Sequence, residues 1–403
     1  MTMGATPFKL AIVAGEVSGD NLGADLISAV KRRLEKPVEL VGVGGPAMIE
    51  QGLKSIFDFQ ELSIIGYSAV LSSLPRLAVR IRSTIAAIVA ARPDVLVIID
   101  SPAFTHRVAA AVRKRLPDLP IVNYVCPTVW AWKPERAQAM TAYVDHVLAV
   151  YPFEKDFLAD LGGPPLTYVG HRLANDPSLL AIASEQAGRR HLVESGTVSG
   201  GEEKEKVCLI LPGSRKGEVR ALLPDLERCA EILASRTNNV RFVIPTLPRI
   251  ADEIERQTKT WSTSPEVVLH SEAKNMALAR ADAAIAASGT VLLELALAGI
   301  PCVSIYRLDG VARLLINRVT AWTAALPNFI ADYPVVNEYI NESLRPGLIA
   351  RRIERLIDNT AERNQMLRDF DLVRERMRTD RPSADLAAEV VCELVNGNIQ
   401  GSA

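Results

Sequence analysis

Short apolar runs of strand length alternate with longer stretches of helical period along most of this 403-residue chain. The first run, Lys9-Leu10-Ala11-Ile12-Val13-Ala14, ends in Gly15-Glu16-Val17-Ser18-Gly19-Asp20, and a helix-compatible stretch continues from Leu22 to Leu34. Val38 to Pro46 reads as the next strand with its exit. Asp94 to Asp100 is wholly apolar and β-branched-rich between its two acids, as expected of a strand buried on both faces. Ile121 to Val125 and His146 to Val150 repeat the pattern, and Val169-Gly170-His171 ends another strand.

Residues 185–206 break the rhythm with a polar stretch rich in Gly, Ser and charge, expected to be a linker or surface loop. Strands resume at 207–211, 240–245, 266–269, 282–286 and 301–305, and from about 347 the pattern turns helical, with many Arg and Glu residues. Such alternation predicts parallel sheets covered by helices on both faces. The expected fold class is therefore α/β, with two Rossmann-like domains facing each other across a cleft. Their expected limits are 1–184 and 207–346, with 347–403 a helical tail that either packs back on the first domain or swaps with a partner.

Length supports two domains, since single cores rarely grow beyond about 250–300 residues. Lys plus Arg number 46 and Asp plus Glu 47, which leaves no global electrostatic case for a nucleic-acid partner. Cys126, Cys208, Cys229, Cys302 and Cys392 are scattered with no CxxC, and no His pair stands at ligand spacing. That argues against structural zinc and a disulfide framework, and for a reducing cytoplasmic setting. Met1 to Lys9 has no signal-peptide character, and no run of about 18 apolar residues suits a membrane span.

The candidate chemistry gathers where strands hand over to helices. Gly15, Glu16 and Ser18 follow the first strand, and Gly213, Ser214 and Arg215 follow the strand at 207–211. Small residues there turn backbone N–H groups and a helix N-terminus toward an anion. Arg215 adds a guanidinium able to grip phosphate with two parallel bonds. Ala287-Ser288-Gly289-Thr290 makes a second such loop, read either as an N-cap or, beside the first, as half of a nucleotide-diphosphate site. Glu294 lies one turn beyond Thr290, suited to ribose hydroxyls. There is no GxxxxGK[ST], and Pro46 after Gly42-Val43-Gly44-Gly45 weakens a dehydrogenase reading.

Asp100, at the exit of a buried strand, is the candidate general base, with helix capping as its bland alternative. Asp20 is expected to brace its loop, and His171 to be either structural or part of the cleft. Trp130, with Trp132, either stacks on sugar or lines an acyl site, or else packs a domain seam. Leu62 to Ile81 is apolar and acid-free and meets Arg76, Arg80 and Arg82. It reads either as a core helix broken at Pro75 or as an exposed surface, with Ile64, Ile65, Tyr67, Val70, Leu71 and Leu74 facing acyl chains.

Seven ordered strings carry a resemblance: Ala14-Gly15-Glu16-Val17-Ser18-Gly19-Asp20, Tyr124-Val125-Cys126-Pro127-Thr128-Val129-Trp130-Ala131-Trp132, Pro152-Phe153-Glu154, Val169-Gly170-His171, Leu211-Pro212-Gly213-Ser214-Arg215, Ala287-Ser288-Gly289-Thr290 and Leu326-Pro327-Asn328. Over residues 9–345 the chain resembles the lipid-A-disaccharide synthase family. The resemblance implies an inverting GT-B glycosyltransferase that needs no cofactor and no metal. It would join UDP-2,3-diacylglucosamine to 2,3-diacylglucosamine 1-phosphate through a β-1,6 link and release UDP. It makes Asp100 the base or acceptor-orienting acid, Arg215 the diphosphate partner and Asn328 a cleft residue. Ser288, Gly289, Thr290 and Glu294 would hold UDP, and 62–81 would dock on the cytoplasmic face of the inner membrane, with a homodimer an open option.

At Ala103 the family's second acid is missing, which leaves Asp100 alone, and Cys126-Pro127-Thr128 stands for a Ser-Pro-Ser form. The acid after Gly-His becomes Asn175, with Asp176 beside it. Two rivals remain at this stage: a soluble sugar-nucleotide enzyme such as a UDP-N-acetylglucosamine 2-epimerase, and a non-catalytic lipid-binding protein. The first gains nothing from the apolar stretch, and the second has no use for Asp100, Arg215 and Glu294 together.

Overall fold

The computed structural model describes residues 6–63, 70–194, 205–308, 319–341 and 343–397. The chain forms two compact units: residues 1–172 with 379–403, and residues 173–378. Each is built on a six-stranded parallel sheet.

In the first unit the strands are β1 (Phe8–Ala14), β2 (Val38–Val43), β3 (Val95–Ile99), β4 (Ile121–Tyr124), β5 (His146–Ala149) and β6 (Leu166–Tyr168). Their spatial order is β2-β1-β3-β4-β5-β6. Every residue of β3, β4 and β5 is buried, which is why those runs lack the alternation of a half-exposed strand. Register places Ala14 beside Ile99 and Ile99 beside Tyr124, so the exits of β1, β3 and β4 lie next to one another.

The expected strand at Val38 to Pro46 stops at Val43. Pro46 opens a short helix, Pro46–Glu50, where its missing N–H costs nothing. Buried Asp20 supplies that helix with its cap: its carboxylate accepts from the N–H groups of Gly45 at 2.7 Å, Ala47 at 2.9 Å and Met48 at 3.1 Å. The brace expected of Asp20 thus runs to a neighbouring loop rather than its own.

The helix Val70–Ala91 continues through Pro75, so the expected break there does not occur. It buries Leu77, Ile85 and Ile88 and exposes Val79. Arg80, expected as part of a basic edge, is gripped by Glu61 with bonds of 2.9 and 2.6 Å, while Arg76 and Arg82 stay exposed. Ile64, Ile65 and Tyr67 lie outside the described residues, and of Val70, Leu71 and Leu74 only the helical backbone is described. Among the described residues no helix is long and apolar enough to cross a membrane.

The second unit has β7 (Lys206–Leu211), β8 (Val240–Pro245), β9 (Glu266–Val268), β10 (Ala283–Ala287), β11 (Cys302–Arg307) and β12 (Asn337–Asn341) in the order β12-β11-β10-β7-β8-β9. Strand β12 has no counterpart in the sequence reading: Asn337-Glu338-Tyr339-Ile340-Asn341 is an exposed edge with little apolar signal.

The boundaries differ from those expected. Pro177–Glu194 is one helix, so the linker expected from 185 begins inside it. Gln186 fastens that helix to the second unit by donating to the carbonyls of Leu278 at 2.8 Å, Ala279 at 3.1 Å and Ala281 at 2.9 Å. The tail divides. Helices Pro346–Ile357 and Ala361–Met377 belong to the second unit, and Ser383–Val395 returns to the first. There Ala387, Ala388 and Val391 join the buried core, and Arg32–Asp385 and Arg33–Glu389 pair at the rim against the helix Val17–Arg33. Exposed pairs add at most about 1 kcal/mol each, so the apolar seam does the holding.

Candidate active site

Open parallel sheets bind ligands beyond the carboxyl ends of their strands, at the point where strand order reverses. In the first unit that point falls between β1 and β3, which brings Gly15, Glu16 and Ser18 together with Asp100 and Ser101. Asp100 and Ser101 both take left-handed backbone, with φ of +54° and +48°. Each non-glycine residue held this way costs about 1–3 kcal/mol and persists only where surrounding contacts enforce it. Here Ser101 N–H donates to Asp100 Oδ1 at 2.8 Å, and Thr105 Oγ1 donates to the Asp100 carbonyl at 2.6 Å. Ser18 Oγ donates to Asp100 Oδ2 at 3.3 Å. A Cβ added at Gly15 would stand 2.2 Å from Ser101 Cβ, so the tight turn after β3 needs a bare backbone after β1. Val125, at the exit of β4, is a third strained residue, with φ of +74°.

Further along the same rim an aromatic group forms. Tyr151 stacks on His171, with ring centroids 5.4 Å apart, and on Phe153 at 5.6 Å; Trp130 meets Phe153 edge-on at 5.3 Å. Burial pushes the His171 imidazole down to about 4, so it is neutral at physiological pH. Beneath lies Glu154, 1% exposed, whose Oε2 accepts from Val150 N–H at 3.1 Å and Tyr151 N–H at 3.0 Å. Burial pushes its carboxyl up to about 8 against the opposing pull of those donors and the Trp130 indole. Sequence reasoning gave Glu154 no role; its signals were its place in the Pro152-Phe153-Glu154 string and an acid five residues past the end of β5. Asp176, beside Asn175, accepts from Leu179 N–H at 3.0 Å and caps the helix Pro177–Glu194.

In the second unit the reversal falls between β7 and β10, which are paired neighbours. Gly213, Ser214 and Arg215 therefore sit beside Ser288, Gly289 and Thr290, as the sequence suggested. Gly213 has φ of +103°. The backbone cradle is not bare: Glu218 reaches back to the N–H groups of Ser214 and Arg215 in the manner of a capping box, and burial raises its carboxyl above the usual range. Arg215 is the N-cap of Lys216–Arg236 and is exposed. The open cradle is the other one. Gly289 and Thr290 are exposed at the start of Thr290–Ala298, and nothing lies within 4 Å of a Cβ added at Gly289. Ser288 Oγ donates to the Ala324 carbonyl at 3.2 Å. Glu294 is not free for ribose alone, since Lys274 Nζ holds its Oε1 at 2.6 Å.

Asn328 departs most from expectation. It is 1% exposed, its Oδ1 accepts from Val335 and Val336 N–H at 2.9 and 2.7 Å, and its Nδ2 donates to Thr323 Oγ1 and the Val336 carbonyl, both at 3.1 Å. Its amide is thus fully engaged within its own loop. Its bonds continue outward: Thr323 and Ala324 are bonded in turn to Glu338, and the Ala324 carbonyl receives Ser288.

The model of the lipid-A-disaccharide synthetase family matches residues 10–391, covering both switch points. The chain belongs to the lipid-A-disaccharide synthase family. The lipid-A-disaccharide synthase of Nitrobacter winogradskyi is 42% identical over 389 residues, 96% of each chain. That of Rhodopseudomonas palustris strain HaA2 is 40% identical over 389 residues, again 96% of each. Among solved structures, the UDP-GlcNAc 2-epimerase of Neisseria meningitidis has a TM-score of 0.58 at 15% identity, covering 97% of this chain and 100% of its own. MurG of Acinetobacter baumannii has 0.56 at 12%, covering 96% and 100%. At such identity these two share the fold and carry nothing about substrate. As a member of the synthase family the chain is a glycosyltransferase of lipid A biosynthesis with a GT-B fold.

Proposed function

We propose that the enzyme transfers 2,3-diacylglucosamine from its UDP derivative to the 6-hydroxyl of 2,3-diacylglucosamine 1-phosphate, with inversion. The acceptor O6 forms a bond to the anomeric carbon as the bond from that carbon to the β-phosphate oxygen breaks, and UDP leaves. Asp100 takes the proton lost from O6, a role for which general bases supply roughly 10²–10⁴-fold in rate. Arg215 and the helix N-terminus at Gly289–Thr290 offset the charge growing on the departing diphosphate, while Glu294 receives ribose hydroxyls on its remaining oxygen. The observation that carries this reading is Asp100 itself, held in strained backbone at a switch point and fixed by Ser18 and Ser101.

The acyl chains of both substrates would be met near 62–81, bringing the enzyme to the cytoplasmic face of the inner membrane as a peripheral protein. The test is UDP release from purified enzyme given the diacyl donor in detergent, with and without acceptor and with EDTA. Acceptor-dependent release that survives EDTA and is lost in Asp100→Asn supports the scheme. Release without acceptor, or retained by Asp100→Asn, overturns it.

A further inference from the structure

The second unit contains a cavity of about 240 Å³ that touches none of the switch-point residues. It opens at the amino ends of β7 and β10, where Lys206 and Asp282 lie, and is walled by the helices Pro177–Glu194 and Ala361–Met377. Five basic side chains line it against three acidic ones. Two of the basic groups are matched: Arg189 pairs with Asp282 at 2.6 Å, and Lys206 with Asp358. Of the acids, Glu205 turns away to Arg241 at 3.5 Å.

Three guanidinium groups remain. Arg190 and Arg374 share a single carboxylate, Asp371. Among the described residues Arg363 makes no direct ion pair: its Nη1 donates to the main-chain carbonyls of Asp282 and Leu356. Burial pulls its guanidinium below the ordinary arginine range, helped by the neighbouring Arg189 and Arg190 and opposed by the nearby carboxylates of Asp282 and Asp358, which are already paired with Arg189 and Lys206. A desolvated positive charge whose neighbouring acids are already engaged is costly in a stable fold, and an anion inside the cavity reduces that cost. The planar, always-charged guanidinium is also the side chain best matched to phosphate oxygens.

We propose that this cavity is a second anion site, distinct from the switch point, that binds a diphosphate or a small phosphorylated metabolite through Arg363, Arg190 and Arg374. Its two helices adjoin the places where the chain passes between units, after Arg172 and after Arg378. A bound anion would tie those helices together and raise the stability of the second unit.

The experiment is calorimetric titration of inorganic pyrophosphate into the intact enzyme, its Arg215→Ala form, and the Arg190→Gln and Arg363→Gln forms. The expected result is binding retained in Arg215→Ala and weakened about tenfold or more in each cavity variant, together with a pyrophosphate-dependent rise in Tm that follows the same pattern. Arg190 is partly exposed, so Arg190→Gln keeps the test decisive if Arg363→Gln fails to fold. Loss of binding in Arg215→Ala alone assigns the anion to the switch point and overturns the proposal. No pyrophosphate binding, or equal binding in all forms, overturns it too.

Discussion

The two sheets solve the same geometric problem with different materials. Each reverses its strand order once and places two loops at the reversal, β1 with β3 in the first unit and β7 with β10 in the second. In the first unit the loop after β3 is held by side chains forced into left-handed backbone, and an acid stands at the centre of the strain. In the second, glycine takes the unusual backbone at Gly213, and the exposed groups are a guanidinium and helix N–H donors. Strain spent on a side chain fixes one reactive atom, whereas glycine lets backbone approach a ligand closely. The first arrangement suits proton transfer and the second suits holding an anion.

That contrast breaks most sharply at Asp100. Asp100→Asn keeps the shape of the turn and removes the base, so turnover should fall about 10²–10⁴-fold while UDP affinity is unchanged; a loss confined to KM would move the base elsewhere. Next is Arg215→Ala, expected to lower turnover about 10²-fold. Its exposed position means unfolding free energy should move by no more than about 0.5 kcal/mol in a urea titration. A parallel loss of stability would make Arg215 structural and erase the contrast.

A third test compares the glycines. Gly15→Ala must push Ser101 aside and should destabilise by about 1–3 kcal/mol, with activity falling further because Asp100 shifts as well. Gly213→Ala meets the carboxylate of Glu218 at 2.3 Å at a backbone φ of +103° and should cost stability too, with its activity effect appearing as weaker UDP binding.

The last test concerns stability alone, at Glu154. Its carboxyl is raised in the folded protein from 4.5 to about 8, so between those values the native state holds a proton that the unfolded chain has lost. Stability contributed by that proton is complete below about 4.5 and declines as pH rises toward about 8, by at most about 1.4 kcal/mol per pH unit. Glu154→Gln should flatten this slope in denaturant titrations across that window. An unchanged slope would show that Glu154 is ionised in the native state.

Much of this was legible in the sequence because buried parallel strands write themselves as unbroken apolar runs. Val95–Ile99 and Ala283–Ala287 could be read almost to the residue, and with them the exits that bear Asp100 and Ser288. Strand β12 could not, since an exposed edge carries no such run. Asn328 was found as part of a family string, yet the bonds of its amide could not be read there, because they depend on residues 323–338 folding around it. Glu218 stands three residues after Arg215 in the sequence, but that its carboxylate fills the cradle is a matter of side-chain reach. The charge imbalance around Arg363 is assembled from segments more than a hundred residues apart, and no local pattern announces it.

The return of the helix Ser383–Val395 to the first unit has a consequence for biosynthesis. The face of Val17–Arg33 that it covers emerges from the ribosome early, and its partner is translated only after the whole of the second unit. Through that interval the nascent first unit presents an apolar strip to solvent, a natural target for chaperones. A premature stop near residue 380 would therefore spare every residue assigned to chemistry and still yield a protein that aggregates.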